Sequence, residues 1–343
     1  MPSQDESFMT RTPACGEDRK LFSDNRMQSK PEVGTAPFQN VSFVSIIAFS
    51  AVIVSLMMVG TGLTVVISNG GFLSATLVMG TLIVLRHRLR EPTTLRQLQL
   101  REFSEYVLLF LSISLLGVVA SYPAAAATSG FADPMLEHSD RILHFDWIAW
   151  YSAVSRHPSL QHLSAVAYTG IYVSPFLLLG YFAWMHRRAD AQRFLLTFWL
   201  GIVLTLLAFP LFPAEGPLAF LWHGPIPYMP TSALYQEQII PALRTHRMMA
   251  VDIGSLRGLV CAPSFHTVSG VIYILAAWPI ARLRWPVVSI NLAMLLATPI
   301  EGTHYLTDMI AGLLVALAAH LIVRALPLSG LGRESAAAEA AET

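Results

Sequence analysis

Residues 262–278, APSFHTVSGVIYILAAW, place a serine and a histidine where a polar segment becomes an apolar run. Such runs recur along the chain: 54% of its 343 residues are hydrophobic and 13% are charged, and the mean hydropathy is +0.54. These values lie far on the apolar side of soluble globular domains. The sequence therefore predicts an all-α integral membrane protein, with its transmembrane helices packed as a bundle. The formal net charge is zero, so the composition does not indicate a nucleic-acid partner.

Eight apolar runs are candidates for membrane-spanning helices, since the hydrocarbon core of a bilayer requires about 20 apolar residues. The second and seventh runs are the shortest. The polar ends of the chain, residues 1–42 and 327–343, are expected to be disordered tails. The eight runs are 43–67, 71–85, 106–127, 163–184, 194–212, 264–281, 285–300 and 304–325.

Lysine and arginine are distributed unevenly over the connections between these runs. With eight spans, the two ends of the chain and every second connection share one side of the membrane, and that side carries all but five of the 22 basic residues. Because basic segments are retained in the cytoplasm during insertion, both termini are expected there. The long loops 128–162 and 213–263 then face the periplasm or the exterior of a plasma membrane or bacterial inner membrane.

Loop 128–162 contains four aromatic residues within one short stretch. Aromatic rings settle at the level of the lipid headgroups, so the stretch predicts an interfacial helix. A lid over a lipid-binding mouth is the alternative. The four residues are Phe145, Trp147, Trp150 and Tyr151.

Two histidines, His266 and His304, lie at the starts of the sixth and eighth predicted spans. The chain crosses the membrane twice between them, so both are expected at the outer face, where they can meet. Asp308 follows His304 by four residues, on the same helix face, where it can accept the imidazole N–H and fix the tautomer. Pro263 suits a first helical turn, which leaves unpaired amides beside Ser264 that can bind phosphate. The pattern predicts an active site in which one histidine attacks phosphorus and the other protonates the leaving oxygen.

Other interpretations of the same residues stay open. A histidine at a helix end is commonly structural, but ionisable groups near membrane depth are costly and usually functional. A metal site formed by His266, His304, Asp308 and Glu301 is one alternative. A transporter or a catalytically silent lipid-binding protein is another. We expect no metal and no other cofactor.

At these residues the chain resembles the type 2 phosphatidic acid phosphatase and haloperoxidase superfamily. That family's second motif is Pro-Ser-Gly-His, and its third is a histidine followed four residues later by an aspartate; the chain has PSFH at 263–266 and HYLTD at 304–308. The resemblance implies a metal-free phosphohistidine mechanism in a six-helix core. It implies that His304 is the nucleophile and Asp308 its orienting partner, that His266 is the general acid, and that Ser264 is a phosphate ligand.

The resemblance also implies a domain organisation. The family's core of six spans corresponds to a catalytic domain at 106–326, with the two motifs opening its fourth and sixth helices. An extra transmembrane hairpin and a basic cytoplasmic loop, residues 43–105, then precede the core.

The chain departs from the family pattern in three places. Phe265 replaces the second-motif glycine, Thr298 occupies the position of a third-motif arginine, and the first motif is absent from its expected place at 213–217. These departures resemble the inositol phosphorylceramide synthase branch, which implies an inositolphosphotransferase. Another cation must balance the phosphate charge, and Arg257, six residues before Pro263, is the nearest in sequence. It ranks ahead of Arg244, Arg247 and His223.

The expected function is cleavage of a lipid phosphate ester at the outer membrane face. The substrate would be a phospholipid, a polyprenyl phosphate or a sphingolipid. The reaction would be hydrolysis, or transfer of a headgroup such as phosphoinositol to a lipid acceptor. The missing arginines favour transfer, because a phosphodiester carries less negative charge than a terminal monoester.

Overall fold

The computed structural model describes residues 43–67, 70–232 and 234–326, so both predicted tails lie outside the described residues. Thirteen α-helices and one two-stranded sheet are found within these ranges. The elements are α1 (Phe43–Gly60), β1 (Thr64–Val66), α2 (Gly70–Arg88), α3 (Leu95–Ala126), α4 (Asp133–Ile142), α5 (Trp147–Ser155), α6 (Pro158–Tyr168), α7 (Gly170–Trp184), α8 (Arg188–Ala208), α9 (Pro217–Leu221), α10 (Tyr235–Arg244), β2 (Ala250–Asp252), α11 (Phe265–Ala277), α12 (Ala281–Glu301) and α13 (Leu306–Ala325).

Six segments of the described chain are long and apolar enough to cross a membrane. They are α1, α3, the pair α6–α7, α8 with the 3₁₀ turn that follows it, α12 and α13. The prediction of an all-α polytopic membrane bundle is confirmed. The seventh predicted run, which looked short, is the 21-residue helix α12, while the sixth is the 13-residue apolar helix α11.

Helix α11 lies at the centre of the bundle, packed against α7, α8, α12 and α13. Its neighbours cover much of its surface, so its length need not match the bilayer. Aromatic rings pack between α8 and α11. The ring centroid of Phe198 on α8 lies 6.2 Å from that of Tyr273 and 5.8 Å from that of Phe265. The helix that opens with the quoted motif is therefore the core of the fold.

The N-terminal segments differ from the predicted boundaries. Helix α3 begins at Leu95 rather than at 106, because Thr94 caps it by accepting from the Gln97 amide and its polar first turns extend beyond the apolar run. Helix α1 ends at Gly60, and the residues after it form β1, which pairs in parallel with β2. Helices α1 and α2 both pack on α3. Residues 68 and 69, within the predicted hairpin, lie outside the described residues.

Three of the four aromatic residues of loop 128–162 lie on helix α5, and Phe145 precedes it. Two of the three rings on the helix pack inside the protein. Trp147 is buried and donates from Nε1 to the Pro299 carbonyl at 2.8 Å. Tyr151 stacks on Trp147 at 5.1 Å and donates to the Tyr228 carbonyl at 2.6 Å. Trp150 is 42% exposed, which suits a ring at the headgroup level. Helix α5 therefore holds loop 128–162 against the end of α12.

Candidate active site

Ser264 caps the start of α11. Its Oγ accepts from the Thr267 amide at 3.4 Å, and its own amide donates to the Asp308 carbonyl at 2.9 Å. The amides of Phe265 and His266 lie in the first turn, where a helix offers no carbonyl partner. Both residues are partly exposed, whereas Ser264 is fully buried. The positive end of α11 therefore lies in the turn that carries His266.

His304 lies in the turn between α12 and α13. Thr303, just before it, has a φ of +50°, the left-handed region that β-branched residues rarely adopt. The His304 amide donates to the Pro299 carbonyl at 3.2 Å, and the side chain is only 1% exposed. Backbone strain of this kind clusters at sites where a side chain must be held in one position.

The two histidines contact each other directly. His266 Nδ1 lies 3.2 Å from His304 Nε2, and the ring centroids are 5.3 Å apart. On the far side of His304, Nδ1 lies 3.4 Å from Oδ2 and 3.3 Å from Oδ1 of Asp308, which is fully buried. On the far side of His266, Nε2 lies 2.5 Å from the Tyr168 hydroxyl.

This row of contacts is consistent with one set of neutral tautomers. If His304 donates from Nδ1 to Asp308, its Nε2 carries a lone pair toward the site. His266 then donates from Nδ1 to that lone pair, and its Nε2 accepts from the Tyr168 hydroxyl. In this arrangement His304 Nε2 holds a lone pair and His266 Nδ1 holds a hydrogen, and the two atoms face each other.

Tyr168 was not identified from the sequence. It is the last residue of α6, its ring stacks on His266 at a centroid distance of 4.8 Å, and it is 3% exposed. The available signal was its depth: a tyrosine at the outer end of the run 163–184 lies level with the two predicted histidines. No spacing rule links it to either motif, since it belongs to a different part of the sequence.

A carboxylate of α4 caps the start of helix α13. Asp140 accepts from the Leu306 amide at 2.9 Å, and from the Thr307 amide and hydroxyl at 2.7 and 2.6 Å. Asp308 accepts from the Tyr305 amide at 3.1 Å. The free amides at this helix start are therefore already paired with negative charge, which leaves α11 as the helix start that can receive a phosphate.

Asp133, at the start of α4, fixes the residue next to His304. It accepts from the Tyr305 hydroxyl at 2.9 Å and from the Glu215 and Gly216 amides, each at 3.0 Å. Burial raises the pKa of Asp133, and these hydrogen bonds lower it in part. Residues 213–217, where the first motif was expected, thus reach the site through this carboxylate. Neither Asp133 nor Asp140 carries a local sequence signal for this position.

Glu301 has a different role from those considered for it. It is fully buried and accepts from the Tyr228 hydroxyl at 2.7 Å, the Thr231 amide at 3.0 Å and the Thr231 hydroxyl at 2.7 Å. Its carboxylate therefore holds loop 213–263 against the end of α12. This position does not fit the metal alternative that included it.

Cys261 joins the histidine cluster. Its Sγ lies 3.5 Å from Asp308 Oδ2 and 3.9 Å from His304 Nδ1. The ligand atoms of Cys261, His304 and Asp308 all lie within 4.8 Å of one another. In the described part of the chain, this is the group of residues that could hold a metal ion. Burial and the neighbouring Asp308 raise the pKa of the Cys261 thiol, so the thiol stays protonated and donates to the carboxylate.

Two glycines allow the parts of the site to approach. A β-carbon on Gly302 would lie 2.7 Å from His304 Cδ2 and 3.1 Å from the Tyr168 hydroxyl. A β-carbon on Gly312 of α13 would lie 2.5 Å from the Ser264 carbonyl oxygen. The starts of α11 and α13 can therefore approach this closely only because residues 302 and 312 have no β-carbon.

The three arginines considered as phosphate ligands contact other residues. Arg257 is exposed, with its guanidinium 5.7 Å from the centroid of the Tyr235 ring. Arg244 donates to the Thr128 hydroxyl and the Gly130 carbonyl, and Arg247 donates to the Thr245 hydroxyl. No contact of these arginines with either histidine is found among residues 43–67, 70–232 and 234–326. His223 is also exposed.

Comparison with protein-family models matches residues 134–322 to the PAP2 superfamily. The match covers more than half of the chain and runs from α4 into α13, including both histidine motifs. Comparisons with curated proteins and with solved structures give no significant match. The chain belongs to the PAP2 superfamily, whose members are phosphoesterases, and is an integral membrane protein of the phosphatase type.

Proposed function

We propose that the chain cleaves a lipid phosphate ester through a phosphohistidine on His304, with no metal taking part. The observation that carries the proposal is the row Asp308, His304, His266, in which adjacent side chains lie 3.2 to 3.4 Å apart. A carboxylate behind one imidazole and a proton-bearing imidazole before it supply the base-oriented nucleophile and the acid that phosphoryl transfer requires. Membership of the PAP2 superfamily supports the same reaction class.

The phosphate binds first, in front of α11. The Phe265 and His266 amides lie at the positive end of this helix, and the Ser264 hydroxyl caps the same turn. Because His266 Nδ1 and His304 Nε2 are only 3.2 Å apart, a phosphorus atom does not fit between them as they stand. Substrate entry therefore separates the two rings, and the phosphate takes the place of their mutual hydrogen bond.

His304 Nε2 then attacks phosphorus, and Asp308 holds the proton on Nδ1 and stabilises the cationic ring. The P–N bond forms as the P–O bond to the leaving group breaks. His266 enters this step as the imidazolium, with a proton taken from solvent once the phosphate has replaced its contact with His304, and it passes its Nδ1 proton to the leaving oxygen and becomes neutral. In the second step His266 takes a proton from water or from an acceptor alcohol, whose oxygen displaces His304 from phosphorus. Both histidines return to their starting states.

Arg257 is the proposed cation for the equatorial phosphate oxygens. In the structure its guanidinium lies over the Tyr235 ring, and the residue is exposed. The loop that contains it, between β2 and α11, leads directly into the Pro263–Ser264 turn. The proposed role requires the side chain to swing away from Tyr235 when a phosphate is bound.

The finer parts of the proposal concern the lipid and its location. The substrate is a phospholipid, a polyprenyl phosphate or a sphingolipid in the outer leaflet of a plasma membrane or bacterial inner membrane, and both termini are cytoplasmic. The replacements at Phe265 and Thr298 support the inositol phosphorylceramide synthase-like branch, in which a phosphoinositol headgroup passes to a lipid acceptor. Thr298 donates to the Met294 carbonyl at 2.8 Å and offers no charge to a phosphate.

The deciding experiment incubates the purified full chain, in mixed micelles, with phosphatidate, a polyprenyl phosphate, and phosphatidylinositol together with ceramide. Free phosphate identifies a phosphatase, and a new headgroup-bearing lipid identifies a transferase. The His304→Ala variant should lose all turnover while staying folded, and the matched control His162→Ala, at an exposed position of α6, should keep it.

Three outcomes contradict the proposal. Turnover by His304→Ala removes the assigned nucleophile. Loss of activity with a chelator, restored by zinc, assigns Cys261, His304 and Asp308 to a metal site instead. Tight binding of these lipids with no product supports the silent lipid-binding alternative.

A further inference from the structure

A cavity of about 670 Å³ opens at the end of α11 opposite to the histidines. It lies between α7, α8, α11 and α13, and its wall includes Trp278, just after α11, and Arg324, in the last turn of α13. His266 and His304 lie at the first turns of the same two helices, so the cavity and the candidate active site occupy opposite ends of the bundle. The proposed reaction makes no use of the cavity.

The charged groups of this cavity are mainly basic. Arg187, Arg193, Arg324 and His320 line it together with one carboxylate, Asp190. Arg187 donates to Asp190 at 2.6 Å, so this pair is neutralised. Within the described ranges, neither Arg193 nor Arg324 forms an ion pair. The cavity therefore carries two unpaired positive charges that a phosphate could balance.

Apart from Thr197, the rest of the wall is apolar, and two exposed tryptophans lie at its edge. Phe182, Phe194 and Leu275 line the cavity, and Trp278 at its edge is 51% exposed. Trp285 lies 6.3 Å from Trp278 and is 64% exposed. Exposed tryptophans of this kind sit at the headgroup level of a bilayer. An apolar wall beside cations at this depth fits an amphiphile better than a small soluble anion.

We propose that this cavity binds the phosphodiester headgroup of an anionic phospholipid from the leaflet opposite to the active site, with acyl carbons against the phenylalanines. Basic cavities between transmembrane helices bind anionic headgroups in this way. Arg193 and Arg324 pair with the phosphate, and the aromatic wall covers the start of the acyl chains. This lipid site does not depend on the proposed phosphohistidine reaction. An experiment that contradicts one of the two proposals therefore does not contradict the other.

The test measures retention of phosphatidylglycerol by the purified full chain in native mass spectrometry, with phosphatidylcholine as the neutral lipid. Arg193→Gln/Arg324→Gln should weaken phosphatidylglycerol retention at least tenfold, about what two lipid-facing arginines contribute. The control Arg96→Gln/Arg282→Gln removes the same charge from two exposed positions outside the cavity and should stay within twofold of the parent. His304→Ala should retain the lipid fully.

Equal phosphatidylglycerol retention by the cavity and control variants would overturn the proposal. Displacement of the lipid by millimolar inorganic phosphate would assign the site to a soluble anion and would also overturn it. A melting curve in detergent shows whether the double variant is folded. If it is not, the single variant Arg324→Gln, at an exposed position in the last turn of α13, provides the same comparison with Arg282→Gln.

Discussion

The two helix starts that carry the histidines are built in opposite ways. Helix α11 is capped by its own Ser264, and the Phe265 and His266 amides remain before the site. Helix α13 starts beneath two carboxylates, Asp140 from α4 and its own Asp308, which take the amides there. One positive helix end is thus left for an anion, and the other is already neutralised.

This difference gives the two histidines different chemistry from similar positions. His304, before α13, is backed by the negative charge of Asp308, which favours a proton on its far nitrogen and a lone pair toward the site. His266, in the first turn of α11, has the neutral Tyr168 hydroxyl behind it. In the proposed reaction, a phosphate placed at α11 meets the nucleophile from one helix and the proton donor from the other.

The most severe way to break this contrast is to neutralise the carboxylate behind His304. Asp308→Asn should lower turnover by about 10³- to 10⁴-fold, since an amide there no longer fixes the tautomer. The asparagine oxygen can still accept from the Tyr305 amide, so the melting temperature should change little. Asp146→Asn, at the exposed cap of α5, is the control. Activity of Asp308→Asn within tenfold of the parent would contradict the assigned role.

A second test disturbs the turn that joins the two regions. The β-carbon introduced by Gly302→Ala would lie 2.7 Å from His304 Cδ2 and 2.9 Å from the Thr298 carbonyl oxygen, so the imidazole must move. A misplacement of this size costs about 10²-fold in turnover. Gly258→Ala, where no atom lies within 4 Å of the new carbon, should be neutral. Assays of initial rate on both variants make the comparison, and a loss below threefold for Gly302→Ala would show that the ring position is not critical.

The smallest expected effect comes from removing Asp140, the residue of α4 that caps the start of α13. Asp140→Ala exposes the Leu306 and Thr307 amides and should lower the free energy of unfolding by about 1–2 kcal/mol, with a several-fold loss of activity. Asp146→Ala removes a cap that accepts from the Ala149 amide at an exposed site, and should cost less. Denaturant midpoints in detergent measure both. Equal midpoints would mean that Asp140 does not hold α13 in place.

Much of the bundle could be predicted because apolar length is a local property of the chain. Six described segments meet that criterion, and the two histidine motifs lie at the helix starts where capping and proline rules put them. The boundaries were less predictable. Helix α3 extends back to Leu95 and α1 stops at Gly60, since hydropathy follows the membrane and not the hydrogen bonds that begin or end a helix.

The contacts that position the residues of the site could not be predicted in the same way. Asp133 and Asp140 are more than 160 residues away from Tyr305 and Leu306, which they bind, and Tyr168 is 98 residues away from His266. Glu301 was considered as a metal ligand, and the structure instead buries it against Tyr228 and Thr231. None of these pairs has a spacing that a helix or turn imposes.

The sequence by itself determined the membrane class, the helices and the two motifs, including the four-residue spacing that sets Asp308 behind His304. Those features depend on hydropathy, helix periodicity and local capping, which act within a few residues. Only the tertiary structure decided which helix start stays open to an anion, and which side chains orient the two imidazoles. Those outcomes depend on carboxylates and a tyrosine carried in from distant helices, and such contacts exist only after the bundle has packed.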